Sequence, residues 1–237
     1  MLQFLRSLVF QVSFLAVTLA LSVAFLPSLL MPQSVVHFGF RLWARALAFL
    51  LKWICGADWQ VLNAPTREGA FIAAGKHQSA WETLMLSVVL KEPAFVLKKE
   101  LMWLPFIGWY IWKMDMIPID RSAGSKALRT MLKAAKKAKE AGRPIVIFPE
   151  GTRVAPGTTR PYQPGIAALY RQLELPILPF ALNSGLVWPR NSFHRYPGFI
   201  TLAFQPEIPS GLGKKDLIAA LESAIEPASQ ALLTKTE

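Results

Sequence analysis

The chain of 237 residues is poor in cysteine and histidine, and each shortage excludes certain kinds of cross-link or metal site. Cys55 is the single cysteine, so the chain forms no internal disulfide and holds no metal through a cluster of thiolates. The three histidines, His37, His77 and His194, are far apart in sequence, so a histidine-rich metal site is not expected. No G-x-x-x-x-G-K-[ST] motif occurs, which excludes a P-loop nucleotide site.

Acidic residues are also scarce, since 15 Asp and Glu stand against 26 Lys and Arg, giving a net charge of +11. The chain is 53% hydrophobic with a mean hydropathy of +0.33. Apolar and basic together are typical of a protein on an anionic membrane surface. Nucleic acid is the other usual partner of such charge. It is not expected here, because the apolar excess lies largely in one N-terminal block and the basic residues lack interleaved base-stacking aromatics.

Residues 7–31 contain no charged side chain. As a helix this run measures about 37 Å, which is enough to cross a bilayer core of about 30 Å. A secretory signal peptide is the alternative, but its apolar core is only about 7–15 residues long, and no clear cleavage site follows here. The run therefore predicts a membrane-embedded helix.

A second apolar segment, over residues 34–54, has one cationic face. Its three basic residues fall within about 40° of one another on a helical projection, with a histidine beside them. These residues are Arg41, Arg45, Lys52 and His37. A narrow cationic stripe on an aromatic-rich helix is typical of a helix in the membrane interface.

Residues 1–55 are therefore predicted to form a membrane-anchoring helical hairpin ahead of a globular domain over residues 56–237. The first helix either crosses the bilayer or dips in and returns. Basic residues flank both of its sides, so the positive-inside rule does not choose between these arrangements. We expect the globular domain to lie on the cytoplasmic face of the cell (inner) membrane.

After Gly56, short β-rich runs alternate with helical ones. The predicted strands are 59–62, 70–74, 94–97, 117–119, 145–148, 177–182 and 200–204. The predicted helices are 79–90, 125–141, 165–173 and 214–233. Such alternation is typical of an α/β domain with a largely parallel sheet flanked by helices.

The segment GKHQSAWETL, residues 75–84, places a histidine and a glutamate just after a predicted strand. Ligands of α/β folds bind at the carboxyl ends of strands, so His77 is a candidate general base and Glu82 the carboxylate that orients it. The alternative is a helix cap, because Ser79 and Glu82 fit the S-x-x-E capping box with Ser79 as N-cap. The spacing alone does not decide between these interpretations.

A second candidate lies where the apolar strand 145–148 runs into Pro-Glu-Gly-Thr-Arg. Arg153 offers a bidentate fork for phosphate, and Thr152 adds a hydroxyl. Gly151 lets the backbone approach a ligand, and its amide is expected to help bind phosphate or a developing oxyanion. Glu150 is expected to hold the arginine or the loop. The alternative is an ordinary strand-exit turn with a surface arginine.

Two lysines and an aromatic run follow the predicted strand 94–97. Lys98 and Lys99 are candidates to bind phosphate, and the apolar run over residues 101–112 is a candidate to line an acyl tunnel or to dip into the membrane. Core packing is the alternative for these aromatics. The basic helix over residues 125–143 is interpreted as a solvated face, with contact to anionic lipid or an acidic carrier protein as the alternative.

The order of these motifs resembles the 1-acylglycerol-3-phosphate acyltransferase family, the glycerolipid acyltransferases with an H-x4-D motif. The resemblance covers residues 56–212. The matching segments are HQSAWE (77–82), KKELMWLPFIG (98–108), FPEGTR (148–153) and LPILPF (175–180), in the family's order. Glu82 departs from the family's usual aspartate by one methylene, and we interpret it as a subgroup variant.

The resemblance implies acyl transfer from acyl-CoA or acyl-carrier protein to the free hydroxyl of lysophosphatidic acid, giving phosphatidic acid at the lipid bilayer. His77 is then the general base and Glu82 its orienting partner. The implied phosphate-binding residues are Arg153, Gly151, Lys98, Lys99, Glu150 and Thr152. Neither a metal ion nor a cofactor is expected, because the acyl thioester is a co-substrate and direct transfer in a ternary complex suffices.

Two rival interpretations remain open. One is an acyltransferase of the same fold acting on another acceptor, such as a lyso-ornithine lipid or glycerol 3-phosphate, although Arg153 and the paired lysines favour a phosphate. The other is a catalytically silent membrane adaptor, in which His77 and Glu82 form only a helix cap.

Overall fold

A mixed β-sheet lies between two layers of helices in the computed structural model, which describes residues 1–120 and 123–234. Within these residues the strands are β1 Ala57–Leu62, β2 Ile72–Gly75, β3 Ala94–Lys98, β4 Ile117–Ile119, β5 Ile145–Ile147, β6 Ile177–Leu182 and β7 Gly198–Phe204. Their order is β1-β7-β6-β2-β5-β3-β4. From β6 to β4 all neighbours are parallel, whereas β7 runs antiparallel to β6 and carries β1 parallel to itself. The predicted α/β fold with a largely parallel sheet is confirmed.

The α-helices of the described residues are α1 Leu2–Ala24, α2 Gln33–Cys55, α3 Trp81–Val89, α4 Ile107–Lys113, α5 Gly124–Glu140, α6 Pro164–Leu173 and α7 Lys214–Thr234. Helices α1 to α4 cover one face of the sheet, and α5 to α7 cover the other. The bounds of α3, α5, α6 and α7 lie within two residues of those predicted. Helix α4 was not predicted, because its aromatic run carries no clear helical period.

Alternation of side chains along the strands separates the two cores. In β2, Ala73 packs with the layer of α1 to α4, while Ile72 and Ala74 pack with the layer of α5 to α7. All four residues of β2 are buried, which is why the strand consists of apolar residues and glycine without polar alternation.

The two N-terminal helices are each long and apolar enough to cross a membrane, but they differ in exposure. In the apolar window of α1, 11% of residues are buried, against 39% in α2. Helix α2 contributes Ala44, Leu47 and Leu51 to the core between the sheet and the layer of α1 to α4, and it packs against α3. The division of the chain between residues 55 and 56 stays a prediction, since α2 shares this core with strands and helices of the α/β domain.

Helix α1 contacts the rest of the chain near both of its ends. Close to its start, the Phe4 ring lies 5.3 Å from that of Phe193, and the Arg195 N–H donates to the Ser7 hydroxyl at 3.0 Å. Close to its end, the Tyr110 hydroxyl donates to the carbonyl of Ser22 at 2.6 Å. The helix therefore lies along the side of the α/β domain instead of projecting from it.

Two expectations about basic segments need correction. His37 was expected beside the cationic stripe of α2 in the membrane interface, but it is only 3% exposed, and its Nε2 atom lies 3.5 Å from Nη2 of Arg143. Arg143 was expected on a solvated face, but it is buried and donates to the carbonyls of Glu92 at 2.8 Å and Met114 at 2.9 Å. Burial lowers the pKa of Arg143. The basic residues within α5 are exposed or partly exposed, as expected.

Candidate active site

Four neighbouring strands, β6, β2, β5 and β3, bring the candidate residues to one edge of the sheet. Strand β2 leads to His77, β5 leads to the turn 150–153, β3 ends at Lys98, and β6 leads to Ser184. Parallel strands end at the same edge, so residues that are distant in sequence converge here. The candidate groups therefore share one side of the sheet.

Glu82 is fully buried and holds His77 directly. Its Oε1 atom lies 2.8 Å from Nδ1 of His77 and also accepts the backbone N–H groups of Gln78 at 2.7 Å and Ser79 at 2.8 Å. Its Oε2 atom accepts the hydroxyls of Ser79 at 2.9 Å and Ser184 at 2.7 Å. These five contacts fix both carboxylate oxygens.

The environment keeps Glu82 ionised. Burial by itself raises the pKa of a carboxyl, but the hydrogen bond and charge of His77 and the hydrogen bonds from Ser79 and Ser184 outweigh it. The pKa of Glu82 is therefore below its ordinary value. When Nδ1–H of His77 donates to this carboxylate, the Nε2 atom is the nitrogen that accepts a proton from a ligand.

The same carboxylate also caps helix α3. The Trp81 N–H donates to the Ser79 hydroxyl at 2.9 Å, and the Glu82 carboxylate accepts the Ser79 N–H, so the S-x-x-E segment is bonded reciprocally ahead of the helix. The helix begins at Trp81, two residues later than predicted, so the N-cap position falls on Ala80 instead of Ser79. The cap and the contact with His77 coexist, so the two interpretations of this segment do not exclude each other.

Packing fixes the plane of the His77 ring. Phe148 stacks on it with ring centroids 4.0 Å apart and an interplanar angle of 15°. Before it in the chain, Gly75 touches the backbone of β6, where a Cβ atom would lie 2.1 Å from the carbonyl oxygen of Phe180. The Val154 N–H donates to the His77 carbonyl at 2.7 Å, which joins the loop after β2 to the loop after β5.

The turn after β5 presents Arg153 at the surface. Gly151 has φ +70°, a left-handed conformation that favours glycine, and its N–H donates to the carbonyl of Phe148 at 2.9 Å. The Gly151 amide is thus engaged within the turn, contrary to the expectation that it faces a ligand. Thr152 is partly buried, and the carbonyl of Arg153 accepts a hydrogen bond from Arg190.

Glu150 lies beneath this turn and is 3% exposed, so it does not present its carboxylate to a phosphate. Of its two expected roles, holding Arg153 or holding the loop, the contacts agree with the second. Its Oε1 atom accepts hydrogen bonds from Nζ of Lys76 at 2.8 Å and from the backbone N–H of Arg160 at 3.0 Å. Burial raises the pKa of Glu150, and the contact with Lys76 offsets part of that rise.

Lys98 and Lys99 are exposed at the end of β3. The Nζ atom of Lys99 lies 3.4 Å from a carboxylate oxygen of Asp120. Lys99 also borders a cavity of about 1040 Å³. Its largely apolar and aromatic lining includes Met102, Trp103, Leu104, Trp109 and Trp112. Trp103, Trp109 and Trp112 of this run thus line the cavity. Ile111 is buried in the core on the side of α1 to α4, and Tyr110 packs against that core.

Two polar residues of the site were missed by sequence reasoning. Ser184 lies 102 residues from Glu82 in the chain, and no local pattern indicates their contact. Lys76 carried a usable signal, because a lysine directly after a buried strand and before a candidate base needs a partner if it is buried.

Comparison with known proteins supports the relationship suggested by the motifs. A family model described as Acyltransferase matches residues 60–183. A 1-acyl-sn-glycerol-3-phosphate acyltransferase of Pseudomonas aeruginosa is 36% identical over 167 residues, covering 69% of this chain and 64% of that protein. One of the same name from Limnanthes alba is 27% identical over 179 residues, covering 75% and 63%. The match thus spans just under two thirds of these relatives' length.

The fold is also similar to a solved structure. The crystal structure of the 1-acyl-sn-glycerophosphate (LPA) acyltransferase from Thermotoga maritima matches with a TM-score of 0.79. The match covers 96% of each chain at 20% sequence identity. Both the sheet and the N-terminal helices therefore fall within the shared fold.

Proposed function

Because the chain belongs to the acyltransferase family, whose model matches residues 60–183, we propose that it acylates the free hydroxyl of lysophosphatidic acid. The donor is an acyl thioester, either acyl-CoA or acyl-carrier protein, and the product is phosphatidic acid. The acceptor is suggested by the names of the relatives. The proposal rests chiefly on the 2.8 Å contact between His77 and the buried, ionised Glu82.

In this proposal His77 is the general base. Its Nε2 atom takes the proton of the acceptor hydroxyl while the hydroxyl oxygen attacks the thioester carbonyl carbon. The imidazolium is stabilised by Glu82. The tetrahedral intermediate then collapses, the carbon–sulfur bond breaks, and the imidazolium returns the proton to the departing thiolate. One ester forms and one thiol leaves, with no metal ion or cofactor in the scheme.

The acceptor phosphate is proposed to bind cations at the same edge of the sheet. Arg153 is exposed on the turn after β5, and Lys98 is exposed at the end of the adjacent strand β3. Lys99 is a weaker candidate, because its ammonium lies beside Asp120. Thr152 and Gly151 shape the turn that carries Arg153, and Glu150 supports it from below. A guanidinium suits a phosphate because its fork donates two parallel hydrogen bonds.

The N-terminal helices are proposed to bind the cytoplasmic side of the cell (inner) membrane without crossing it. Helix α1 contacts the domain at Ser7 and again at Ser22, so both ends lie on the same side as the domain. Its outward face exposes large apolar side chains, among them Val12, Leu15 and Leu19. An apolar helix lying in the interface brings the site to the level of a lipid substrate.

The reaction is tested with radiolabelled acyl-CoA and lysophosphatidic acid, using purified protein in detergent. We expect transfer by the wild type and a loss of about 10²- to 10⁴-fold in His77→Ala, since the base acts in the chemical step. His194→Ala is the matched control, because His194 lies outside the site and is only partly buried. Near wild-type turnover in His77→Ala contradicts the mechanism. Parallel assays with acyl-carrier protein, glycerol 3-phosphate and an unphosphorylated lysolipid identify the donor and acceptor.

The membrane arrangement is tested by thiol labelling in intact cells. In a Cys55→Ala background, Met31→Cys places a thiol on the turn between α1 and α2, where the side chain is 46% exposed. We expect a membrane-impermeant reagent to label it only after lysis, as it labels Lys136→Cys on the exposed face of α5. If the reagent labels Met31→Cys in intact cells but does not label Lys136→Cys, the hairpin spans the bilayer.

A further inference from the structure

Lys76, the residue before His77, is a buried cation held by three oxygen atoms. Its Nζ atom lies 2.8 Å from Oε1 of Glu150 and 2.8 Å from Oε2 of Glu226, and it donates to the carbonyl of Thr158 at 3.0 Å. The Lys76 side chain is 4% exposed. Burying an unpaired ammonium costs far more than one hydrogen bond returns, so these oxygens are needed to keep the charge inside.

The three charged residues of this cluster come from separate parts of the chain. Lys76 follows β2, Glu150 begins the turn that carries Arg153, and Glu226 lies on α7. The Tyr162 hydroxyl donates to Oε1 of Glu226 at 2.8 Å. Glu150 also accepts the Arg160 amide, so both ends of the loop 150–162 are attached to this cluster.

The cluster connects the two loops that carry the candidate site residues. The candidate base is on the loop after β2, and the candidate phosphate ligand Arg153 is on the loop after β5. These loops are joined by the hydrogen bond from the Val154 amide to the His77 carbonyl, by the ion pair of Lys76 with Glu150, and by the hydrogen bond from Lys76 to the carbonyl of Thr158. A base and a cation that act on one substrate must keep their separation to about 0.5 Å.

We propose that Lys76 is a positioning residue, which fixes the Arg153 turn relative to His77 through Glu150 and takes Glu226 of α7 as its remote partner. The inference rests on the proposed function, because the ion cluster is proposed to align the two groups, His77 and Arg153, that act on the substrate there. It gives α7, which supplies no candidate catalytic group, a role in binding the phosphate of the acceptor.

The test compares Lys76→Met and Glu226→Gln with Arg143→Met. Arg143 is likewise a buried cation held by several oxygens, but it precedes β5 and so lies at the opposite edge of the sheet. Thermal unfolding first sets a temperature at which all variants are folded. Lys76→Met is expected to raise the KM for lysophosphatidic acid at least about tenfold, with a smaller change in the KM for the acyl donor. Glu226→Gln, which leaves Lys76 its contacts with Glu150 and the Thr158 carbonyl, is expected to give a smaller change of the same kind.

Rescue separates positioning from packing. Lys76→Arg keeps the charge and is expected to recover part of the affinity for the acceptor, whereas Arg143→Met is expected to leave both KM values within about twofold. If folded Lys76→Met has wild-type KM values, or if it and Arg143→Met change them equally, the positioning role is overturned.

A second measurement does not depend on turnover. Hydrogen exchange of the amides of Gly151, Val154 and Arg160 is expected to accelerate at least about tenfold in Lys76→Met but not in Arg143→Met. Unchanged exchange in this loop overturns the positioning role even if activity falls. If the wild type acylates no tested acceptor, the proposed function fails, and the exchange data alone decide whether Lys76 aligns the two loops.

Discussion

His77 and Ser79 bind the same oxygen of Glu82, His77 through its Nδ1 atom at 2.8 Å and Ser79 through its backbone N–H at 2.8 Å. One carboxylate therefore binds a backbone amide just before helix α3 and also orients the imidazole of His77. The longer glutamate reaches both partners because the loop before α3 folds back over it, with Ser184 holding the second oxygen. A substitution at Glu82 thus changes two properties, stability and turnover, which need separate measurements.

Glu82→Gln is expected to lower turnover by about 10²- to 10⁴-fold, because an amide does not stabilise the imidazolium that forms when His77 takes a proton. Glu82→Asp keeps the charge and is expected to retain more activity than Glu82→Gln. Acyl transfer at saturating substrate, with thermal unfolding of each variant, makes the comparison. If Glu82→Gln matches the wild type, the residue acts only as a helix cap.

The stability contributed by Glu82 is expected to depend on pH. Its pKa in the folded protein is below its ordinary value of 4.5, so the folded state favours the ionised form. Its contribution is fully present above about pH 4.5 and is lost as the pH falls through the lower, folded-state pKa. Urea unfolding from pH 7 to pH 3 is expected to show that the difference in free energy of unfolding between wild type and Glu82→Gln becomes smaller in acid. A difference that stays constant across this range contradicts the prediction.

Ser184→Ala is expected to destabilise the fold by about 1–2 kcal/mol, because it removes a hydrogen bond to a buried carboxylate. The second hydroxyl, from Ser79, remains on the same oxygen and limits the loss. Ser87→Ala is the matched control, since Ser87 is buried in α3 but donates to the Thr83 carbonyl within its own helix. We expect turnover to fall only in Ser184→Ala. Equal turnover in both variants means that the hydrogen bond from Ser184 does not support the site.

Arg153→Ala is expected to raise the KM for lysophosphatidic acid by about 10-fold or more, because one charge-assisted bidentate contact is lost. The KM for an unphosphorylated acceptor, where it is a substrate, is expected to stay unchanged. Arg171→Ala, on the exposed side of α6, serves as a control for loss of positive charge alone. A similar rise in KM in both variants indicates general electrostatic attraction in place of a specific phosphate contact.

Much of the fold followed from local patterns. Strands β2, β5 and β6 are short apolar runs, and α3, α5, α6 and α7 have helical periods, so their positions were predicted to within a few residues. Helix α4 was missed because Trp109 and Trp112 remain exposed, and its apolar residues therefore do not form one buried stripe. The N-terminal helices were predicted from hydropathy, but hydropathy does not tell an exposed apolar face from a buried one, as α1 and α2 show.

By itself, the sequence determined the α/β class and the apolar N-terminal helices, because each depends on residues close together in the chain. It placed His77 five residues before Glu82 but left open whether their side chains touch. Tertiary structure decided the rest. It placed Ser184 on Glu82, joined Lys76 to Glu226, buried His37 against Arg143 and laid α1 along the domain. These contacts join residues about a hundred or more positions apart. No spacing rule encodes them, since they arise only when folding brings distant elements together and buried polar groups must find partners there.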